Sequence, residues 1–291
     1  MREGYRERLA ELRATRPEAV ASAAAERTVG PSLAAAGRFL LIAADHPARG
    51  SLAVGDRADA MASRAEMLDR LVVALSRPGV SGVLGTPDVL EDLLLLGALD
   101  GKVVIGSMNR GGVPGTAFEI DDRFTAYDAE TIAAMSFQGG KMLLRIDPTD
   151  PASADTLDSC ARAVSELAAR RLVALVEPFW VRRDADGRAV NDLTTPAVVR
   201  SVAIGQALGN RSAYTWLKLP VVADMERVVD ATTMPVVLLG GDPHTAPDET
   251  YAAWRKALAL PGVRGLVVGR SLLYPPDDDV AAAVDTAVEM L

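Results

Sequence analysis

Cysteine is almost missing from these 291 residues: Cys160 stands alone, which excludes an internal disulfide framework and any zinc site built from several thiolates. Its setting, ADTLDSCARAVSEL, has helical periodicity, where a small buried hydrophobe is the expected reading. Histidine is nearly as scarce. His46 and His244 are too few for a His-rich catalytic zinc site, although carboxylate-bound magnesium survives that count. No apolar run approaches the ~18 residues needed to cross a bilayer, and the amino-terminal MREGYRERLAELR is charged throughout, unlike a secretory signal. The expectation is a cytoplasmic protein with no membrane partner. Positive charge is also short, 31 basic against 39 acidic residues for a net −8, which argues against nucleic acid, since that binding draws on phosphate neutralisation by lysine and arginine. A small molecule is the expected partner. Lysine is the scarcest cation of all, with four residues, at 102, 141, 218 and 256. In a chain that uses arginine nearly everywhere else, each lysine invites its own explanation.

What is present is apolar and ordinary. With 49% hydrophobic and 24% charged residues the chain can bury a large core, which excludes disorder, collagen and coiled coil. Its length matches the roughly 250 residues of a single α/β barrel. Eight short apolar runs read as strands, at Arg38–Ala44, Val80–Gly85, Lys102–Ser107, Gly140–Ile146, Leu172–Glu177, Tyr214–Leu219, Pro235–Leu239 and Arg264–Val268. Between them lie helical patterns such as RAEMLDRLVVALS and ETYAAWRKALAL, the alternation that parallel strands with crossover helices require. A (β/α)8 TIM barrel over residues 38–291 fits best, preceded by an alanine-rich helical extension over 1–37 that would cover the barrel bottom. The alternative, an open doubly wound sheet, would need a G-x-G-x-x-G after the first strand, and none follows. Long stretches follow strands one, three and five, at 44–59, 108–124 and 178–195, whereas helix-to-strand joins are short. Functional loops in this fold sit at the carboxyl ends of strands.

Several polar residues fall at those ends. Lys218, in AYTWLKLPV, closes the sixth strand, where an ammonium is costly to desolvate; that favours the neutral amine, the form that attacks a carbonyl. A lysine that snorkels out or pairs with Asp224 would leave the same sequence. Lys141, in GGKMLLRIDP, could add a second cation to the same mouth or hold a substrate oxygen. Glu177, in LVALVEPFW, could move protons between such lysines, or form a plain ion pair. Asp45, after RFLLIAA, is a further acid or base, or else a turn cap. Gly240 and Gly241 follow the seventh strand and Gly269 and Arg270 the eighth, where this fold frequently binds phosphate.

AADHP, GKMLLRIDP, LVEPF, WLKLPV, VVLLGG and VVGRSLL occur in this order from about residue 38 to 274, and together they resemble the class I Schiff-base aldolases on (β/α)8 barrels, particularly the archaeal-type fructose-bisphosphate, tagatose-bisphosphate and sulfofructose-phosphate aldolases. The resemblance implies a metal-independent lyase with no cofactor, in which Lys218 forms the imine. Lys141 and Glu177 match the second lysine and the strand-five glutamate, Asp45 the first-strand acid, and Gly240, Gly241, Gly269 and Arg270 the phosphate site. The implied substrate is a phosphorylated ketose or keto-sugar acid, with dihydroxyacetone phosphate and an aldehyde as products. Members with a tyrosine proton donor after strand five differ here, where Phe179 and Trp180 stand. Asn109-Arg110-Gly111 and the arginine-rich 181–188 also look individual to this chain. The competing functions are a metal-assisted lyase or isomerase and a non-catalytic barrel that senses a sugar phosphate. The apolar helices leave room for a homo-oligomeric interface.

Overall fold

The apolar runs show no polar alternation because both faces of each are covered: every residue of Phe39–Ala44 is buried, as parallel strands packed between helices and a filled interior must be. The structure, a computed structural model, describes residues 4–35, 37–109, 111–241 and 247–291. Its strands are β1 (Phe39–Ala44), β2 (Val80–Gly85), β3 (Val103–Ser107), β4 (Gly139–Ile146), β5 (Val173–Arg183), β6 (Ala189–Asn191), β7 (Thr215–Leu219), β8 (Val236–Leu239) and β9 (Val263–Val268). All but β6 pair in parallel around a closed ring, β1 to β5 in order, then β7, β8 and β9, which returns to β1 through Leu41↔Val267. This is the expected TIM barrel.

The helices α1 (Tyr5–Thr15) and α2 (Ala19–Glu26) precede the barrel. Then α3 (Arg64–Ser76), α4 (Pro87–Leu95), α5 (Ala129–Ala134), α6 (Ala152–Ala169), α7 (Thr195–Gly205), α8 (Met225–Asp230) and α9 (Pro247–Leu258) each follow one barrel strand in turn, and α10 (Arg270–Leu273) and α11 (Val280–Val288) follow β9. Sequence-local chemistry sets several starts. Ser63 accepts from Glu66 N at 3.3 Å to open α3 with the Ser-x-x-Glu spacing of a capping box. Cys160 is fully buried on the inner face of α6, and burial pushes its thiol up to about 12, as suits a packing residue rather than a reactive one.

Alternation divides the core in two. Leu40, Ile42 and Ala44 face outward into the layer under the helices. Phe39, Leu41 and Ala43 face inward, where Leu84, Ile105, Leu175, Trp216, Val237 and Val267 meet them. The rings of Phe39 and Trp216 lie 5.8 Å apart near the bottom of this filling. Leu33, ahead of the first strand, joins the same inner cluster. Around it Arg27 Nη2 donates to Ser136 O at 2.6 Å and Gly101 N to Thr28 O at 2.8 Å, which ties residues 27–33 across the amino-terminal ends of β3 and β4.

One stretch departs from expectation. Residues 178–195 are not an irregular loop: β5 continues past the barrel to Arg183 and folds back antiparallel onto β6, with Val181 opposite Asn191 and Arg183 opposite Ala189. The turn forms because Asp184 Oδ1 accepts from the amides of Asp186 (3.0 Å) and Arg188 (2.9 Å), and Gly187 takes a left-handed φ of 78°.

Candidate active site

The same alternation that builds the apolar interior continues upward into a polar layer. Two residues beyond inward-facing Ala43 comes Asp45; beyond Ile105, Ser107; beyond Leu175, Glu177; beyond Trp216, Lys218; and Lys141 shares their level on β4. All five are buried. Lys218 Nζ lies 2.6 Å from Glu177 Oε1, Lys141 Nζ lies 2.5 Å from Glu177 Oε2 and 3.0 Å from Asp45 Oδ2, and Ser107 Oγ donates to the same Asp45 oxygen at 3.3 Å. The chain Lys218–Glu177–Lys141–Asp45 therefore alternates in sign and sums to zero. Asp224, an alternative partner for Lys218, instead accepts from Arg227 N at 3.1 Å to cap α8. Asp45 makes no capping bond to the turn that follows it.

The charges hold one another in place. Burial alone would raise the Glu177 carboxyl, but Lys141 and then Lys218 overcome it and bring it down to about 2. Asp45 is held well below the usual carboxylate range in the same way: burial opposes, and Lys141, His46 and Lys218 prevail. Lys141, buried between two carboxylates, stays above the ordinary lysine value because Asp45 and Glu177 outweigh its desolvation. It is a fixed cation. His46, next to Asp45, is pushed down to about 4, chiefly by burial, with Asp45 opposing and Arg270 adding to the fall. Its ring is therefore neutral at pH 7, and its buried Nδ1 has no hydrogen-bond partner.

Above this layer opens a cavity of about 570 Å³. Gly240, Gly241, Gly269 and Arg270 border it together with Lys141, Glu177, Lys218 and Asp45, so the residues expected to receive an anion and the lysine cluster share one space. Their glycines answer different needs. Gly241 has φ 76° and open space where a Cβ would stand, whereas a Cβ at Gly269 would lie 2.4 Å from Ala43 O and 3.0 Å from His46 Cε1. Phe179 also lines the cavity, while Trp180, one residue on, turns outward under the guanidinium of Arg200, 4.7 Å from its ring centre.

Several residues around the cavity were given no role from the sequence. His46 and Arg49 stand on the single turn after Asp45 and line the cavity. Asn109 is fully buried and clamps two segments: its Nδ2 donates to Asp122 O (2.9 Å) and Leu143 O (2.7 Å), and its Oδ1 accepts from Leu143 N (2.7 Å). Arg145, inward on β4, grips Asp122 with Nε at 2.9 Å and Nη2 closer still. Arg110, between these elements in sequence, and His244 lie outside the described residues.

A family model described as Cgl0159-like matches residues 37–288. The chain belongs to the Cgl0159-like family. The crystal structure of Cgl0159 from Corynebacterium glutamicum (Brevibacterium flavum) is 52% identical, covers 100% of this chain and 97% of that one, and superposes with a TM-score of 0.95. An archaeal fructose-1,6-bisphosphate aldolase, with its catalytic lysine covalently bound to the carbinolamine intermediate of the substrate, is 18% identical over 93% of this chain and 98% of its own, with a TM-score of 0.65. A Schiff-base-forming fructose-1,6-bisphosphate aldolase gives 18% identity, coverages of 93% and 99%, and a TM-score of 0.63. At that identity the likeness between the Cgl0159-like chain and the aldolases is one of fold. No curated protein matches the chain. No described helix is long and apolar enough to cross a membrane.

Proposed function

We propose that the chain is a class I aldolase that reversibly cleaves a phosphorylated ketose or keto-sugar acid through an imine on Lys218, without a metal ion. The reading is carried by one observation: a buried lysine at the carboxyl end of a barrel strand, its nitrogen 2.6 Å from a carboxylate that a second, permanently charged lysine keeps ionised. The archaeal aldolase of the same fold, trapped at its catalytic lysine as a carbinolamine, supports it.

Lys218 Nζ gives a proton to Glu177 Oε1, and the freed amine adds to the substrate ketone to form a carbinolamine. Return of that proton expels the hydroxyl as water and leaves an iminium ion. Loss of the proton from the hydroxyl on the far side of the scissile bond, to Glu177 or Asp45, lets the carbon–carbon bond break. Its electron pair flows into the iminium, an enamine forms and an aldehyde departs. Protonation of the enamine carbon and addition of water release dihydroxyacetone phosphate and restore the amine. Lys141 contributes positive charge beside the developing alkoxide, and Gly240, Gly241, Gly269 and Arg270 receive the phosphate. With no phenol at Phe179 or Trp180, proton transfer falls to the carboxylates.

The test is borohydride reduction in the presence of a panel of phosphorylated ketoses and keto-sugar acids. A three-carbon phosphorylated adduct on Lys218, identified by mass, is the expected result; no adduct with any of them overturns the reading.

A further inference from the structure

Two protons in the proposed cycle need a carrier close to the imine. One leaves the substrate hydroxyl as the carbon–carbon bond breaks, and one arrives at the enamine carbon that the break creates. The cluster already occupies its carboxylates: both oxygens of Glu177 are held by ammonium groups, at 2.6 and 2.5 Å, and Oδ2 of Asp45 is held by Lys141 and Ser107. The lysines keep both acids ionised, with no proton to give. Phe179, on the wall of the same cavity, is a ring with no proton to exchange.

His46 is placed differently. It stands next to Asp45, on the turn His46–Arg49 at the top of β1, and lines the cavity with Lys218, Glu177 and Asp45. Its Nδ1 is buried with no hydrogen-bond partner among the described residues, 3.9 Å from Oδ1 of Asp45, the oxygen not taken by Lys141 or Ser107. Its Cε1 packs against the chain after β9, where a Cβ on Gly269 would lie 3.0 Å away. The side chain is 25% exposed, and with Nδ1 shut away and Cε1 against Gly269, the Nε2–Cδ2 edge supplies the open part. One ring nitrogen thus turns to a carboxylate and the other to the cavity. In that arrangement the acid fixes the tautomer and steadies an imidazolium, so a proton on Nδ1 points at Asp45 and the lone pair of Nε2 is left to act as a base. Burial keeps the ring neutral at pH 7, with a folded value of about 4, and an imidazolium formed there parts with its proton readily.

We infer that His46 is a catalytic residue whose Nε2 takes the hydroxyl proton released by carbon–carbon cleavage and hands it to the enamine carbon. The inference rests on the imine reading of Lys218. In the first transfer the O–H bond breaks and an N–H bond forms at Nε2. The oxygen's electrons close the aldehyde C=O, and the pair of the broken carbon–carbon bond passes into the iminium to give the enamine. In the second, after the aldehyde has left, the enamine takes the same proton onto carbon, which restores the neutral ring and the iminium for hydrolysis. No proton is gained or lost over the two. One ring serves both because the oxygen that loses the proton is bonded to the neighbour of the carbon that receives it.

The second transfer run backwards needs no aldehyde, so dihydroxyacetone phosphate alone tests it. In D2O the wild type should exchange a hydrogen of its hydroxymethyl carbon for deuterium, followed by NMR, and borohydride should trap the same compound on Lys218. His46→Gln and His46→Ala should lower the exchange by roughly 10²–10⁴-fold, while trapping proceeds at near the wild-type rate because imine formation uses Glu177. Imidazole added to the Ala variant should restore part of the exchange, which a merely structural role of the ring would not allow. Near-normal exchange in the Gln variant overturns the assignment. So does a loss of trapping equal to the loss of exchange, or no recovery with imidazole in an Ala variant that circular dichroism shows folded. A wild type that traps dihydroxyacetone phosphate without exchanging it also shows that His46 was misread; a wild type that forms no adduct shows that the imine reading failed, and the assignment with it.

Discussion

Oε1 of Glu177 lies 2.6 Å from Nζ of Lys218, while the other oxygen of the same carboxylate is held by Lys141. The carboxylate is thus the counter-ion of the cluster, and on the imine reading proposed above it would also be the base within reach of Lys218. Glu177→Gln should lower kcat by roughly 10²–10⁴-fold, as for loss of a positioned acid–base group. It should also lower stability, because two buried ammonium groups lose their shared partner, so turnover must be measured where circular dichroism shows the variant folded. If the loss simply tracks unfolding, Glu177 is structural and Asp45 takes the acid–base role.

Lys218→Arg retains the charge opposite Glu177 but has no amine able to form an imine. Cleavage should fall by roughly 10³-fold or more, with the fold intact, and the borohydride adduct should vanish. A dominant adduct on Lys141 would exchange the two lysine roles, and near-normal activity would remove Lys218 from the chemistry.

Lys141 supports two buried carboxylates at once. Lys141→Met leaves both without it, and removing one partner of a buried ion pair costs about 3–5 kcal/mol, measurable as a fall in the urea midpoint. Because the folded protein holds Lys141 above the ordinary lysine value of 10.5, its contribution is complete below pH 10.5 and is lost as pH rises through the folded value. The wild type should therefore lose more stability at strongly alkaline pH than the Met variant does.

His46 produces the opposite dependence. Its folded pKa is about 4 against an ordinary 6.5, so the unfolded chain binds a proton in that window and the folded chain does not. Stability should decline as pH falls from 6.5 to 4, by up to about 1.4 kcal/mol per pH unit. Glu177, with a folded pKa of about 2 against 4.5, adds a further decline from pH 4.5 downward. Denaturant titrations of His46→Gln should show the upper part of this slope flattened; an unchanged slope would assign it to other groups.

Arg270→Ala should weaken binding of a phosphorylated ligand far more than that of its dephosphorylated analogue, since only the former loses a charge-assisted contact. Equal losses would move the phosphate elsewhere. At Gly241 the left-handed φ of 76° means that Gly241→Ala should cost stability, about 1–2 kcal/mol, even though space for the methyl is open. Binding by that variant must be read against its melting curve.

What the sequence made legible follows its periodicities. The eight barrel strands lie within a residue or two of their apolar runs because parallel strands buried on both faces leave no polar gaps, and the end of β5 alone runs well past its run, to Arg183. Asp45, Glu177 and Lys218 could be found because each is a charge placed at the carboxyl end of an otherwise apolar strand. The β5–β6 hairpin was hidden because its outer half stands free of the core: Arg182 and Arg183 are exposed, and nothing apolar marks it, although the Asp184–Gly187 turn flanked by Val-Arg-Arg and Arg-Ala-Val carried a hairpin signal. The Asp122–Arg145 pair joins residues 23 apart in sequence, one of them on an irregular segment, and no local pattern announces such a meeting. Arg49 was lost among many arginines, and only the closure of the barrel reveals that it lines the cavity, with its Nε buried and unbonded among the described residues.

Leu33 and the strap of residues 27–33 stopper the lower end of the barrel, and the packed layers around Phe39 and Trp216 fill it above them. Among the described residues the cavity is consequently a blind vessel, closed below and lined at the carboxyl ends of the strands. On the imine reading proposed above, the sequence of departures would follow from what is tethered. The aldehyde would be held by contacts alone and leave at once, while the three-carbon piece would stay bonded to Lys218 until water reached it. Release would thus be ordered, aldehyde first, with hydrolysis at Lys218 ending the cycle.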